Sequence, residues 1–228
     1  METKETKETF CFKNVSYVYS FFTFATVLQL LLKILEGSEN LFSRYGIKSI
    51  TMDDVARELG ISKKTLYQFV NDKNDLVEKT LEFYLQRHRH TCEVLGEDNK
   101  NPIDAMLAIG DFFCQQLKDT SPALMFDLRK YHSGAFQKLG EYKLACISEQ
   151  LESNMVRGIK EGYYRPDVDT KIIPRLYMVM ADAVLESPYF PRDKFKFEEV
   201  VKSMLNYHIH GIATPKGIEY LNKQYNKI

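Results

Sequence analysis

The segment TMDDVARELGISKKTLYQFV, residues 51–70, restricts the fold of this chain more than any other feature of its sequence. Thr51 and Ser62 are good N-cap residues for two short helices, and Asp54 completes a capping-box pattern with Thr51. Gly60 stands between the helices, where a tight turn needs the left-handed backbone conformation. The apolar positions at which the two helices would bury one another are Val55, Leu59, Ile61, Leu66 and Phe69. The segment therefore predicts a helix-turn-helix.

The outward face of the second predicted helix is polar and basic, which suits DNA phosphates and base edges. The whole chain of 228 residues is neutral, with 31 basic and 31 acidic residues, so its composition alone does not indicate a nucleic-acid-binding protein. Residues 43–73, however, hold six basic and four acidic residues, a local excess of +2. The alternative is a helical hairpin without a role in DNA binding; the local charge favours DNA binding. The outward face consists of Lys63, Lys64, Thr65, Tyr67 and Gln68.

Residues 34–80 resemble the N-terminal domain of the TetR family of bacterial transcriptional regulators. The family pattern is a first helix ending in LF-x-x-x-G, followed by T-x-x-x-[IV]-A-x-x-x-G-[VI]-S-x-x-x-[LF]-Y-x-[YHF]-F-x-x-K-x-x-L. The chain departs from it at Val70, where Phe is usual, and at Lys64, where a small residue is common. The matching positions are Leu41, Phe42, Gly46, Thr51, Val55, Ala56, Gly60, Ile61, Ser62, Leu66, Tyr67, Phe69, Lys73 and Leu76.

The resemblance implies a homodimer whose two DNA-binding domains, its reading heads, occupy successive major grooves of a palindromic operator in double-stranded DNA. It also implies a regulator, most often a repressor, that a small-molecule effector releases. The effector would move the helix that begins near Asp75 and so change the spacing of the reading heads. Carried over by position, the phosphate contacts would be Thr51, Tyr67 and Lys73, and the groove-facing residues Lys63, Lys64, Thr65 and Gln68.

The chain after residue 28 has apolar residues at three- and four-residue spacing almost throughout, and it lacks alternating strand patterns of useful length. It therefore predicts an all-α fold, with an N-terminal three-helix DNA-binding domain at residues 28–74 and a larger helical bundle for regulation and dimerisation at residues 75–228. The helices predicted in the larger domain cover residues 75–94, 103–117, 122–131, 136–159, 170–185 and 195–210.

Residues 1–27 combine a charged leader with an apolar segment. The leader, residues 1–9, alternates Glu and Lys and is expected to be disordered. Residues 14–32 carry no charge and reach the length of a membrane-spanning helix. One interpretation is an anchor or an uncleaved signal, and an anchor would make the chain a membrane-tethered interaction protein or a tethered regulator. The others are an apolar extension that runs into the first helix, or a translation start upstream of the true one.

The larger domain is rich in aromatic and Met residues, which suits a ligand cavity or an ordinary core. The family resemblance implies a small-molecule pocket there. Two apolar-striped helices, residues 172–185 and 200–212, are predicted to form the dimer interface, and ordinary core packing is the alternative. The candidate pocket residues are Phe112, Phe113, Met125, Phe126, Tyr131, Met155 and Tyr177.

His88, His90 and Cys92 stand close together, but residues i and i+2 of a helix point about 200° apart, so His88 and His90 cannot share a metal ion. His88 and Cys92 could face the same way, yet two ligands do not make a site, and we expect a polar surface. No metal or cofactor is predicted.

No nucleophile–base pattern or phosphate-binding glycine loop occurs, so we predict no catalytic residues and no enzyme activity. The four cysteines are scattered, without a CxxC pair, which is typical of reduced thiols in a cytoplasmic protein.

Overall fold

The structure is a computed structural model, and it describes only part of the chain. Its backbone is described at residues 5–98, 101–118, 120–186, 189–191 and 193–225. Its side chains are described at residues 25–96, 101–118, 120–184, 189–191 and 193–224.

The regular elements in the described residues are helices, which confirms the predicted all-α class. The N-terminal unit holds α1 (Glu5–Tyr45), α2 (Met52–Leu59) and α3 (Lys63–Leu66), and α4 (Lys73–Asp98) leads out of it. A π-helical turn, Lys143–Ile147, joins α7 to α8 within what we predicted as one helix. The helices of the larger domain are α5 (Pro102–Leu117), α6 (Ala123–Tyr131), α7 (Ser133–Tyr142), α8 (Ser148–Lys160), α9 (Ile172–Glu186), α10 (Phe197–Ile212) and α11 (Pro215–Tyr225).

Local hydrogen bonds fix the two short helices. Thr51 caps α2 through a capping box: its hydroxyl accepts from the Asp54 amide at 3.2 Å, and its own amide donates to the Asp54 carboxylate at 2.9 Å. Gly60 ends α2 with φ of 66°, a conformation that costs little only without a Cβ. The Ser62 hydroxyl then accepts from the Thr65 amide at 3.0 Å and begins α3. The turn and both helix starts therefore follow from single residues.

The described side chains form two apolar cores. One lies among α1, α2, α3 and the first part of α4, and its fully buried members include Ile34, Val55 and Leu66. Leu128 of α6 and Ala135 of α7 belong to this same core. The other core fills the larger domain, around Ile103, Met155 and Ile209 among others. The DNA-binding unit is thus packed directly onto two helices of the larger domain.

The N-terminal segment continues directly into the first helix, because the backbone of α1 is helical from Glu5 to Tyr45. Part of the charged leader, which we expected to be disordered, lies within this helix. The side chains of residues 1–24 lie outside the described residues, so the possible anchor at residues 14–32 stays a prediction. Among the described residues no helix has both the length and the apolar character needed to span a bilayer.

Candidate nucleic-acid interface and internal cavity

The outward face of α3 presents its polar side chains to solvent. Lys64, Tyr67 and Gln68 are exposed. Lys63 is also exposed, but its ammonium forms an ion pair with Asp53 of α2 at 2.9 Å. Thr65 is half-buried, and its hydroxyl lies 2.8 Å from that of Ser62. An ion pair this exposed contributes little to stability, so a phosphate could replace Asp53 as the partner of Lys63 at low cost.

Thr51 and Lys73, the predicted phosphate contacts outside α3, have different surroundings. Thr51 is exposed at the N-terminus of α2, where free backbone amides attract anions. Lys73 is half-buried, with its ammonium 3.5 Å from the carbonyl oxygen of Lys48, and burial lowers its pKa. The Lys73 side chain therefore lies against the loop between α1 and α2.

Comparison with known proteins agrees with this geometry. The sequence model of the bacterial regulatory proteins of the tetR family matches residues 34–80. Over 189 residues the chain is 25% identical to the HTH-type transcriptional regulator YvaF of Bacillus subtilis (strain 168), covering 79% of this chain and 94% of that protein. Residues 34–80 are thus similar to the DNA-binding domain of the TetR family. The chain is a DNA-binding transcriptional regulator.

Two solved structures illustrate the likeness of the fold beyond the DNA-binding unit. A TetR-family regulator from Agrobacterium tumefaciens superposes with a TM-score of 0.69 at 15% identity, covering 82% of this chain and all of that one (100%). The regulator FadR from Bacillus subtilis, in complex with stearoyl-CoA, superposes with a TM-score of 0.63 at 16% identity, covering 79% and 98%. The TetR fold thus extends through the larger domain.

In this regulator, α6 is bonded directly to the loop between α1 and α2. The buried carboxylate of Asp127 accepts a hydrogen bond from the Lys48 amide at 2.8 Å. The Lys48 ammonium donates to the Tyr131 hydroxyl at 3.1 Å and lies 5.0 Å from the centre of that ring. Gly46, with φ of 78°, leaves room for Asp127, because a Cβ there would lie 3.0 Å from the carboxylate. A shift of α6 must therefore act on the loop that precedes the Thr51 cap.

A cavity of about 180 Å³, partly open to solvent, lies at the junction of the two halves. Its walls come from α1, α4, α5, α6, α7 and the π-helical turn, and they are mostly apolar. Because α1 carries the DNA-binding core, this cavity borders both halves. The side chains around it that carry polar groups include Glu39, Thr80, Tyr84, His88, Tyr142 and Lys143.

Glu39 and Thr80 line the cavity, and each carries a buried polar atom without a hydrogen-bond partner. One carboxylate oxygen of Glu39 accepts from Arg87 at 2.6 Å, and the other is buried without a hydrogen-bond partner. Burial raises the pKa of Glu39, while Arg87 acts in the opposite direction. The Thr80 hydroxyl is also buried without a hydrogen-bond partner. Neither residue was among our sequence candidates. A possible signal was that Glu39 follows the apolar Leu35 by four residues, which places both on one face of a helix.

His88 and Cys92 face inward, so our expectation of a polar surface was wrong for this pair. The Nδ1 atom of His88 lies 2.8 Å from the Tyr142 hydroxyl and 3.7 Å from the sulfur of Cys92. Burial lowers the pKa of His88 and raises that of Cys92 to about 11, so both are neutral at pH 7. His90 is exposed. Within the described part of the chain, no group of three or more His, Cys, Asp or Glu residues could hold a metal ion.

Two of the seven candidate pocket residues, Phe113 and Met125, line the cavity. Phe112 does not line the cavity; its ring is tilted against that of His88, with the ring centres 5.5 Å apart. Met155 is buried in the core of the larger domain, where Tyr177 packs against His208. Phe126 and Tyr131 are exposed on α6. The apolar spacing of these helices does not distinguish a core side chain from a cavity side chain, and this is why the candidates are scattered.

Proposed function

We propose that this regulator binds a palindromic operator as a homodimer, and that a small molecule in the junction cavity releases it. The position of the cavity carries this proposal. Its walls include α1, which belongs to the DNA-binding core, and α4 and α6, which connect that core to the larger domain. A ligand that fits the cavity in only one arrangement of these helices shifts the population toward that arrangement.

For DNA recognition we propose that α3 enters the major groove. Lys63, Lys64, Thr65 and Gln68 face the base edges there, and Thr51, Tyr67 and Lys73 contact phosphates. The exposure of Lys64, Tyr67 and Gln68 supports this assignment. Lys73 needs a small movement to reach a phosphate, because its ammonium lies against the loop between α1 and α2.

For dimerisation we propose the outer faces of α9 and α10. Ile172, Leu176, Val179 and Ala183 recur at four-, three- and four-residue steps along α9, and all four are exposed. On α10 the aromatic side chain of Tyr207 is 74% exposed. A stripe of exposed apolar side chains at helical spacing supports a protein–protein contact. A second copy of this chain would give the two reading heads that a palindromic site requires.

Two routes connect the cavity to the DNA-binding unit. The sequence resemblance implies a movement of α4. The hydrogen bond from Lys48 to Asp127 supports a second route, in which α6 acts on the loop before Thr51. The solved complex of FadR with stearoyl-CoA supports a small-molecule occupant, although its ligand is not carried over to this chain.

The first test is enrichment of sheared genomic DNA of the source organism on the full-length protein, followed by sequencing. We expect one or a few palindromic sites. Gel-shift assays on these sites should then show that Lys64→Ala and Gln68→Ala each weaken specific binding by about 5- to 150-fold, the equivalent of roughly 1–3 kcal/mol. Lys223→Ala, an exposed cation on α11, is the matched control and should leave affinity unchanged. Retention of DNA without sequence preference would contradict the proposal.

Lys73→Ala tests the phosphate contacts separately. It should weaken binding to all sequences alike and reduce the slope of log affinity against log salt by about one. An unchanged slope would remove Lys73 from the contact set. Analytical ultracentrifugation of Val179→Glu tests the dimer face, because a charge in an apolar interface should give monomers. A dimer that persists would move the interface elsewhere.

A further inference from the structure

We propose that the junction cavity recognises a small apolar molecule that carries a protonated amine, and that Glu39 is the partner of the ammonium group. This inference deepens the proposed function, since the occupant would be the effector. Binding itself can still be measured without DNA.

One of the two carboxylate oxygens of Glu39 accepts a hydrogen bond, and the other does not. Arg87 holds one oxygen from outside, at 2.6 Å, and is itself well exposed. The other oxygen is buried and has no hydrogen-bond partner. A buried acceptor of this kind costs free energy until a donor reaches it, and an ionised donor satisfies it best. The unpartnered oxygen of Glu39 is therefore suited to an N–H group that reaches it through a small movement of the side chain.

The other ionisable groups that line the cavity do not compete for this role. The Lys143 ammonium is ion-paired with Asp182 on α9. His88 is hydrogen-bonded to Tyr142, and burial holds it in the neutral form. In the described lining, the uncompensated position is thus a carboxylate oxygen, which favours a cation and disfavours a carboxylate or phosphate ligand.

The remaining lining supports the same chemistry. The buried Thr80 hydroxyl can accept a second N–H from an ammonium that donates several. The aromatic rings of Phe42, Tyr84, Phe113 and Tyr142 add apolar surface, and their faces attract cations. Burial raises the pKa of Tyr84 to about 12, so this ring stays neutral.

The size of the cavity limits the apolar body of the ligand. An engineered protein cavity of about 150 Å³ holds a benzene molecule. At about 180 Å³, the junction cavity suits one aromatic ring or a short aliphatic chain, with the amine attached. Benzylamine, which is protonated at neutral pH, is therefore a suitable probe.

The experiment compares three probes that share one ring: benzylammonium, benzyl alcohol and benzoate. Isothermal titration calorimetry at pH 7 uses the full-length protein without DNA. We expect benzylammonium to bind at least about tenfold more tightly than benzyl alcohol, and benzoate to bind least. Benzoate as the tightest ligand, equal affinities for all three, or no binding of any probe would each overturn the inference.

Glu39→Gln should reduce the preference for the ammonium over the alcohol to less than about threefold, since it keeps the shape and removes the charge. The matched control is Glu36→Gln, which removes an exposed carboxylate of the same helix and should keep the preference. A preference that survives in Glu39→Gln would exclude Glu39 as the partner.

Thr80→Val is the second variant, should Glu39→Gln fail to fold. It should weaken the binding of benzylammonium by about 2- to 12-fold, the range that corresponds to one hydrogen bond. Unchanged affinity would contradict the role of Thr80. Failure of the two proposals can be distinguished: amine binding by a protein that finds no operator overturns the proposed function alone, whereas operator binding without amine preference overturns this inference alone.

Discussion

The DNA-binding unit and the larger domain differ in how their functional residues are fixed. In the unit, each requirement is met within a few residues along the chain, as in the Thr51–Asp54 capping box and the left-handed Gly60. The functional residues of the larger domain, by contrast, line a cavity whose walls come from helices distant in sequence, from α1 to α7. The structure of the first region can therefore be predicted from short-range rules in the sequence, whereas the structure of the second depends on long-range packing.

The two regions nevertheless share a core, because α6 and α7 of the larger domain contribute Leu128 and Ala135 to the core of the DNA-binding unit. The two regions could then unfold together or separately. A pair of matched core variants would decide between these outcomes and gives the largest effect that we predict.

Leu66→Ala in the DNA-binding unit and Leu221→Ala in the larger domain remove equally buried side chains, each 0% exposed. Each should lower the free energy of unfolding by about 2–5 kcal/mol. Since the cores are packed together, we expect one cooperative urea transition that shifts to lower denaturant in both variants. Two separate transitions, with each variant moving only its own, would show that the regions are thermodynamically independent.

Protonation of histidine should act on one region only, because all five histidines lie outside residues 28–74. Burial against Tyr177 lowers the pKa of His208 from 6.5 to about 4. Between these values the unfolded chain binds a proton that the folded protein excludes. Stability is therefore complete above pH 6.5 and is lost as the pH falls toward 4, by about 3 kcal/mol at 1.4 kcal/mol per pH unit.

Urea titrations between pH 7 and pH 4 measure this slope. His208→Phe should flatten it, whereas His90→Gln, which replaces an exposed imidazole, should keep it. His88 and His132, whose pKa values burial also lowers, supply the slope that remains in His208→Phe. An identical pH profile for His208→Phe and the unmodified protein would contradict this assignment.

The sequence could predict the all-α class, the helix-turn-helix and both of its caps, since these depend on residue type at fixed spacing. It could not predict α11, which our pattern omitted: Leu221 is fully buried there, but the helix is short and mostly polar. The π-helical turn has no signal in the apolar spacing. The inward direction of His88 and Cys92 depends on α7, which supplies Tyr142 from a distant part of the chain.

The contact between the two regions also escaped sequence reasoning. In the sequence Asp127 does not differ from other carboxylates on helices, and the folded chain brings it to the Lys48 amide, 79 residues away. Asp127→Ala would leave that amide without its partner in a partly buried site, which should cost about 1 kcal/mol of stability. It should also reduce the effect of an effector on operator affinity, because α6 loses its bond to the loop.

Thermal melting and gel shifts with and without effector measure the two effects of Asp127→Ala. Asp127→Asn is the matched variant, since it keeps an acceptor oxygen and should retain most of the stability. Full effector response in Asp127→Ala would leave α4 as the route between the regions.

The smallest effect that we predict compares one helix cap from each region. The Ser62 hydroxyl caps α3 in the DNA-binding unit, and the Asn101 side chain caps α5 by accepting from the Ile103 amide at 2.8 Å. Ser62→Ala and Asn101→Ala should each cost about 1 kcal/mol of stability, whereas glycine at either position should cost only a few tenths. Operator affinity should fall in Ser62→Ala alone, since α3 is the helix that we place in the groove. Equal losses of affinity in both variants would mean that the cap at α5 is coupled to DNA binding through α4. The difference between the locally fixed DNA-binding unit and the larger domain would then concern structure and not function.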